Sequence, residues 1–191
     1  YVHMFIFKKK YFFIIESIKD IDLSKLKISN KFNIIYRFGN LTEKVGDLLT
    51  YRNLCKIKRI GFYISNNTSL MSSLKADGLY VSAFNKSLKI LQLKNTIYKV
   101  IGSAHNLKEF NIKIKQGCST IFFSRLFKTH YKNKKNYHGL IKFNLINHNC
   151  RDVLIPLGGI NNKNSNKIKL VKTEGIALYS QIKIDNLFNL K

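Results

Sequence analysis

IYKVIGSAHNLKEFNIKIK, residues 97–115, contains one complete unit of this protein's architecture. Ile97, Tyr98, Val100 and Ile101 form a short run rich in β-branched and aromatic side chains, which predicts a strand over 97–101. Gly102, Ser103 and His105 follow as a polar turn. Asn106 then stands before an apolar-periodic segment with Glu109 three residues on, the spacing of a capped helix start, and predicts a helix over 106–115. Seven more runs of the strand type occur at 11–15, 33–36, 60–64, 78–81, 120–123, 153–157 and 175–178. They mostly do not alternate polar with apolar residues, as expected of parallel strands covered on both faces. Helical segments are predicted between them at 41–56, with Leu41, Val45, Leu48, Leu49 and Leu54 on its apolar positions, and at 67–74, 86–93 and 140–147; a short helix is predicted over 181–190. Eight units in 191 residues leave about 24 residues each, near the minimum for a βα repeat. The expectation is an α/β fold, a single shortened (β/α)8 TIM barrel over residues 11–191 with 1–10 as an N-terminal extension. The pattern favours it over an open doubly wound sheet.

Composition narrows the function classes. The chain carries 34 Lys+Arg against 10 Asp+Glu, a formal net charge of +24, which raises a nucleic-acid reading. Separating the cations weakens it: 29 are Lys and only 5 are Arg, accompanied by 21 Asn. Arg makes the bidentate and stacking contacts that specific recognition favours, whereas Lys is a mobile point charge. The excess spread over the chain reads as compositional drift on a basic, enzyme-like domain that handles anions. With 45% hydrophobic residues and 1 Pro, a disordered or Pro-rich linker protein is excluded. Cys55, Cys118 and Cys150 are odd in number, widely spaced and contain no CxxC, so they read as reduced thiols. Lys8, Lys9 and Lys10 interrupt the first hydrophobic stretch, which argues against a membrane span or a signal peptide. Cytoplasmic location is the expectation.

In such a barrel, chemistry sits where the strands end at their C-termini. Arg37 with Gly39 and Asn40, Ser65 with Asn66 and Asn67, Ser82 with Asn85, Ser124 with Arg125, Gly158 with Gly159, and Ser180 all collect there. Two glycines directly after a strand let the backbone approach a phosphate closely, although the same pair also serves a tight strand-to-helix turn. Adding Ser180 and the start of the segment 181–190 favours a phosphate cup at the last two strands.

Five stretches in order carry a resemblance. ADGLYVSAFNKSL (76–88) resembles a strand-four motif of the type ADGVHLGQxDL, GSAHNLKE (102–109) a strand-five loop close to GVSTHSLEE, and RLFKTHYK (125–132) the loop PIFPTPTK. VLIPLGGIN (153–161) resembles VVAIGGI, and EGIALYSQI (174–182) resembles ADGVAVVSAI. Together they resemble the thiamine phosphate synthase family, including its thiazole tautomerase branch. The resemblance implies an eight-stranded βα barrel, often dimeric, that acts on phosphorylated small molecules. The synthase joins hydroxymethylpyrimidine pyrophosphate to a thiazole phosphate with a magnesium ion on the pyrophosphate.

Carried over residue by residue, the resemblance assigns pyrophosphate contact to Arg37, substrate hydrogen bonding to Ser103 followed by His105, and phosphate contact to Thr129, Lys132, Gly158, Gly159 and Ser180. Asn66 takes the place of a pyrimidine-contacting Asn, and Tyr80 that of a pyrimidine-facing His. The departures fall on the pyrophosphate side. A Lys is replaced by Gly39, and the two magnesium-binding Asp by Asn67 and Asn85; neutral amides bring oxygen to a hard dication without charge. Ser124 and Arg125 replace a usual Gly-Pro. His130 and His138 lie too far along their loop to transfer the tautomerase base, and His138 is expected at the surface before Gly139. The expectation is a synthase-like protein that binds phosphorylated thiazole, with slow or absent coupling and weak or absent magnesium dependence. The alternatives are a diverged noncatalytic phosphate-ester binder and, behind it, a basic nucleic-acid-associated domain.

Overall fold

The computed structural model describes residues 9–26, 30–38, 43–129, 136–150, 153–161 and 163–179. Eight strands, β1 (Lys10–Ile15), β2 (Phe32–Tyr36), β3 (Gly61–Ser65), β4 (Gly78–Val81), β5 (Lys99–Ala104), β6 (Thr120–Ser124), β7 (Leu154–Leu157) and β8 (Gly175–Tyr179), pair in parallel in chain order, and β8 closes on β1. The barrel is the one expected, and the reason the strands read as unbroken apolar runs is visible in its two cores. Phe12, Ile14, Ile35, Tyr63, Tyr80, Ile101, Phe122, Ile155 and Ala177 point inward and fill the lumen. Phe122 meets Phe12 edge-on at 5.1 Å and Tyr80 at 5.7 Å. The alternate residues, among them Phe13, Ile34, Phe62, Leu79 and Phe123, pack outward beneath the helical layer.

That layer is thin. The described residues hold four α-helices, α1 (Val45–Ile57), α2 (Thr68–Ser73), α3 (Leu107–Lys115) and α4 (Gly139–Asn149). Asn67 caps α2, its Oδ1 accepting from the Leu70 N–H at 2.9 Å. Asn106 caps α3 in the same way through Glu109, whose Oε2 reaches back to the His105 N–H at 2.8 Å. The expected helix over 86–93 is instead a 3₁₀ helix, Leu88–Leu93, and another 3₁₀ helix, Ser165–Leu170, follows β7 where the polar sequence carries no helical period. The segment 181–190 lies outside the described residues.

The strand expected from Ile97 starts at Lys99 and runs to Ala104, leaving Ile97 91% exposed. Gly102 and Ser103 therefore belong to the strand and not to the turn after it. Gly102 is needed there because a Cβ would sit 2.8 Å from Cys118 Sγ and 3.0 Å from Lys113 Cδ. Cys55, Cys118 and Cys150 are free; burial pushes the thiols of Cys55 and Cys118 up to about 12, so they are inert packing groups. No helix among the described residues is long and apolar enough to cross a membrane.

Candidate active site in the barrel mouth

A cleft of about 1000 Å³ opens at the C-terminal ends of the strands. Of the residues singled out from sequence, Arg37, Tyr80, Ser103, Thr129, Gly158 and Gly159 line it. Lys132, Ser180, Gly39 and His130 lie outside the described residues. Among the described residues that line the cleft there are three permanent cations, Arg37, Arg125 and Lys142, and no carboxylate. The cavity is therefore electropositive by composition of its wall and not only by the net charge of the chain.

Its floor is the inner barrel core. Tyr80 is buried with its hydroxyl hydrogen-bonded to Ser103, and desolvation raises its pKa, so it presents a neutral phenol and an aromatic face. Arg37 leaves β2 and donates from Nη1 to the Tyr179 hydroxyl at 2.9 Å; that hydroxyl donates to Glu16 Oε1 at 3.1 Å. This chain links the ends of β2, β8 and β1 and pulls the guanidinium towards the β8 side. Burial above all pushes the Tyr179 phenol up to about 12, which keeps it a donor to Glu16.

The β6–β7 wall carries the glycine pair and the start of the loop after β6. Gly158 and Gly159 adopt left-handed backbone at φ 92° and 72°. A Cβ on Gly159 would meet the Phe127 carbonyl oxygen at 2.4 Å, because the loop after β6 crosses directly over it and Phe127 N–H donates to the Gly158 carbonyl at 3.1 Å. Within this wall Arg125 Nη1 and Thr129 Oγ1 are buried without a hydrogen-bond partner among the described residues. A buried donor left unmade costs about 1–3 kcal/mol, more when charged, so both groups call for an acceptor beyond the described residues.

His105 and His138 meet in the same wall, a juxtaposition the sequence reading missed because 33 positions separate them. His105 Nδ1 lies 2.5 Å from Ser124 Oγ. His138 is not the surface residue expected. It stacks on Phe123 with ring centroids 4.7 Å apart, faces the cleft, and hydrogen-bonds the backbones of His105 and Ser124. Burial chiefly, with Lys142 and Arg125 beside it, holds its pKa below the ordinary value and keeps the ring neutral near pH 7.

The loops after β3 and β4 are finished differently. Asn66 Oδ1 accepts from the Ser82 N–H and from Asn85 Nδ2, both at 3.1 Å, and its Nδ2 donates to Ser82 Oγ at 3.0 Å. Asn67 Oδ1 is committed to the α2 cap, and Asn85 Oδ1 accepts from the Ser87 N–H at 3.0 Å. From below, the buried Lys113 ammonium donates to the Asn85 carbonyl at 2.6 Å, and Gln116 holds the carbonyls of Asn85 and Ser87. Asn66, Asn67 and Asn85 do not line the cleft. Nor do Asn67 and Asn85 fit a magnesium ion, since both are neutral amides whose oxygens already accept backbone N–H groups.

With this geometry established, comparison with known proteins identifies the relationship. The sequence profile described as thiamine monophosphate synthase matches residues 40–182, three quarters of the chain. The chain belongs to the thiamine monophosphate synthase family. A thiamine-phosphate synthase of Prochlorococcus marinus subsp. pastoris is 27% identical over 170 residues, covering 87% of this chain and 47% of the relative. A second, from Prochlorococcus marinus strain SARG, is 30% identical over 143 residues, 73% of this chain and 41% of the relative. The chain thus spans about half the length of these relatives. A thiamine-phosphate synthase of Hydrogenobaculum sp. is 24% identical over 77% of this chain and 70% of its own. Among solved structures, thiamine phosphate pyrophosphorylase from Pyrococcus furiosus superposes with a TM-score of 0.71 at 18% identity, over 91% of this chain and 86% of that one, a likeness of fold.

Proposed function

We propose that this family member binds a phosphorylated thiazole on the β6–β8 side of its mouth and couples it slowly to hydroxymethylpyrimidine pyrophosphate, releasing pyrophosphate. The observation that carries the reading is the pairing of the left-handed Gly158-Gly159 backbone with two buried donors, Arg125 Nη1 and Thr129 Oγ1, that have no partner among the described residues, in a cleft whose described lining holds no carboxylate. Ser180 and Lys132, assigned to the phosphates by resemblance, complete this proposal from sequence alone. Tyr80 and Ser103 offer a flat aromatic face and a hydroxyl to the heterocycle. Arg37 is the cation available to the departing pyrophosphate, whose developing charge must be met by fixed positive groups for the reaction to be fast. Diffuse lysine charge attracts polyanions without positioning them. With amides at 67 and 85, we propose a weak magnesium contribution.

A second reading, a phosphate-ester binder without synthase chemistry, is favoured by the closed amide network of Asn66, Asn67 and Asn85. One experiment separates the two: titration calorimetry with thiazole phosphate and with pyrimidine pyrophosphate, followed by steady-state coupling across a magnesium series. The proposed function expects thiazole phosphate binding and turnover well below ~1 s⁻¹, the lower end of the usual enzyme range, changing little with magnesium. Thiazole phosphate binding without any turnover selects the second reading. Absence of thiazole phosphate binding sinks both.

A further inference from the structure

Arg125 is fixed by the fold at its stem and at one end of its guanidinium. It leaves the end of β6 and lays its stem across the bare α-carbon of Gly158; a Cβ at 158 would stand 2.9 Å from Arg125 Cγ and 3.3 Å from its Cβ. One end of the guanidinium is tied down, Nη2 donating to the Asn136 carbonyl at 2.8 Å across the loop. The other end, Nη1, is the buried atom without a partner among the described residues, and Thr129 Oγ1 is in the same condition on the same loop. Both residues line the cleft beside Gly158 and Gly159. A planar fork anchored through one nitrogen has lost its rotational freedom in advance, so its free nitrogen binds an acceptor without further ordering. The partner that suits a fixed guanidinium, a hydroxyl and a glycine backbone together is a compact anion with several acceptor oxygens.

We propose that Arg125 is the specificity-determining residue of this anion site. Its Nη1 and Thr129 Oγ1 grip oxygens of a dianionic phosphomonoester seated on Gly158 and Gly159, and the fixed charge selects dianions over monoanions. The inference rests on the reading that this side of the mouth takes a phosphate, and it names the residue that makes the site discriminate.

Titration calorimetry of the full chain with ethyl phosphate and with ethyl sulfate at pH 7.5 tests it. Ethyl phosphate is mostly dianionic at that pH, its second ionisation lying near 6 as in other phosphomonoesters; ethyl sulfate is a monoanion. The wild type is expected to prefer ethyl phosphate. Arg125→Gln is expected to weaken ethyl phosphate binding by about tenfold or more and to erase the preference, as loss of a charge-assisted hydrogen bond should. Arg125→Lys, which keeps the charge without the fork, should fall between, and Thr129→Val should weaken both ligands while leaving the preference in place. Circular dichroism and melting curves establish that each variant folds; should Arg125→Gln fail to fold, the Lys and Val variants decide. Binding by Arg125→Gln, or by both substitute variants, within twofold of wild type overturns the role of Arg125 while leaving the anion site standing. A wild type that binds neither ligand at millimolar concentration overturns the role and the anion-site reading together.

Discussion

On one side of the mouth Asn66, Asn67 and Asn85 give their amide groups to each other, to Ser82 and to the backbone of α2 and its neighbouring turn. On the other, Arg125 and Thr129 keep buried donors that no described group accepts. Folding has closed the hydrogen-bond account of the first wall and left that of the second open. Orphaned buried polar groups are rare, and the proposed function places the ligand on the wall of Arg125 and Thr129.

The largest expected effect comes from filling the open wall. Gly159→Ala puts a Cβ against the Phe127 carbonyl and forces alanine to φ 72°, so it should cost about 2–4 kcal/mol of stability and remove phosphate binding. Urea unfolding with a parallel phosphate titration reads both, and an unchanged midpoint would contradict the close crossing of the β6 loop. Next is the closed wall. Asn85→Asp loses the donor to Asn66 Oδ1 and sets two acceptors together, an expected loss of about 1–2 kcal/mol. Asn67→Asp should be nearly neutral, since aspartate caps a helix as well as asparagine. In the double variant magnesium should raise the melting temperature and strengthen the magnesium dependence of turnover, whereas the wild type should respond little; equal responses would show that the amides are no obstacle to the metal.

Tyr179→Phe tests which wall Arg37 serves. Released from its 2.9 Å bond, Arg37 should cost pyrophosphate binding roughly threefold in affinity, the scale of one modest hydrogen bond. No change in calorimetry would assign Arg37 to the opposite side. The smallest effect concerns His138. Its folded pKa lies below the unfolded value near 6.5, so its contribution to stability is fully present above about pH 6.5 and is lost as pH falls through the folded pKa. Arg125, Lys142 and the backbones of His105 and Ser124 are the groups that face it. Because the ring is only partly buried, the loss should stay below about 1 kcal/mol; His138→Gln should flatten the stability profile between pH 7 and 5 by that amount, as followed by denaturant midpoints.

Much of the barrel was legible because it rests on local signals. Runs such as Gly78–Val81 and Gly175–Tyr179 are apolar on both faces, and Asn106 with Glu109 marks a helix start by side-chain chemistry within four residues. The misreadings occurred where a contact distant in sequence outweighs local propensity. Ile97 has the composition of a strand residue but precedes the ladder, which starts when Lys99 pairs with Gly78. Residues 88–93 tighten into a 3₁₀ helix next to a loop whose carbonyls are drawn down by Lys113 and Gln116 from α3.

The candidate site divides along the same line. Sequence by itself determined the repeating strand-and-helix order, the family, and the glycine pair at the end of β7, since each depends on residue type at short spacing. Tertiary structure alone decided which polar groups are spent and which are free. Arg125 is far in sequence from the Gly158 it lies on, His138 from the His105 whose backbone it bonds, and Arg37 from the Tyr179 that orients it. Barrel closure brings β8 back to β1 and the loop after β6 over the turn after β7, and a hydrogen-bond account can be drawn up only when both partners are in place.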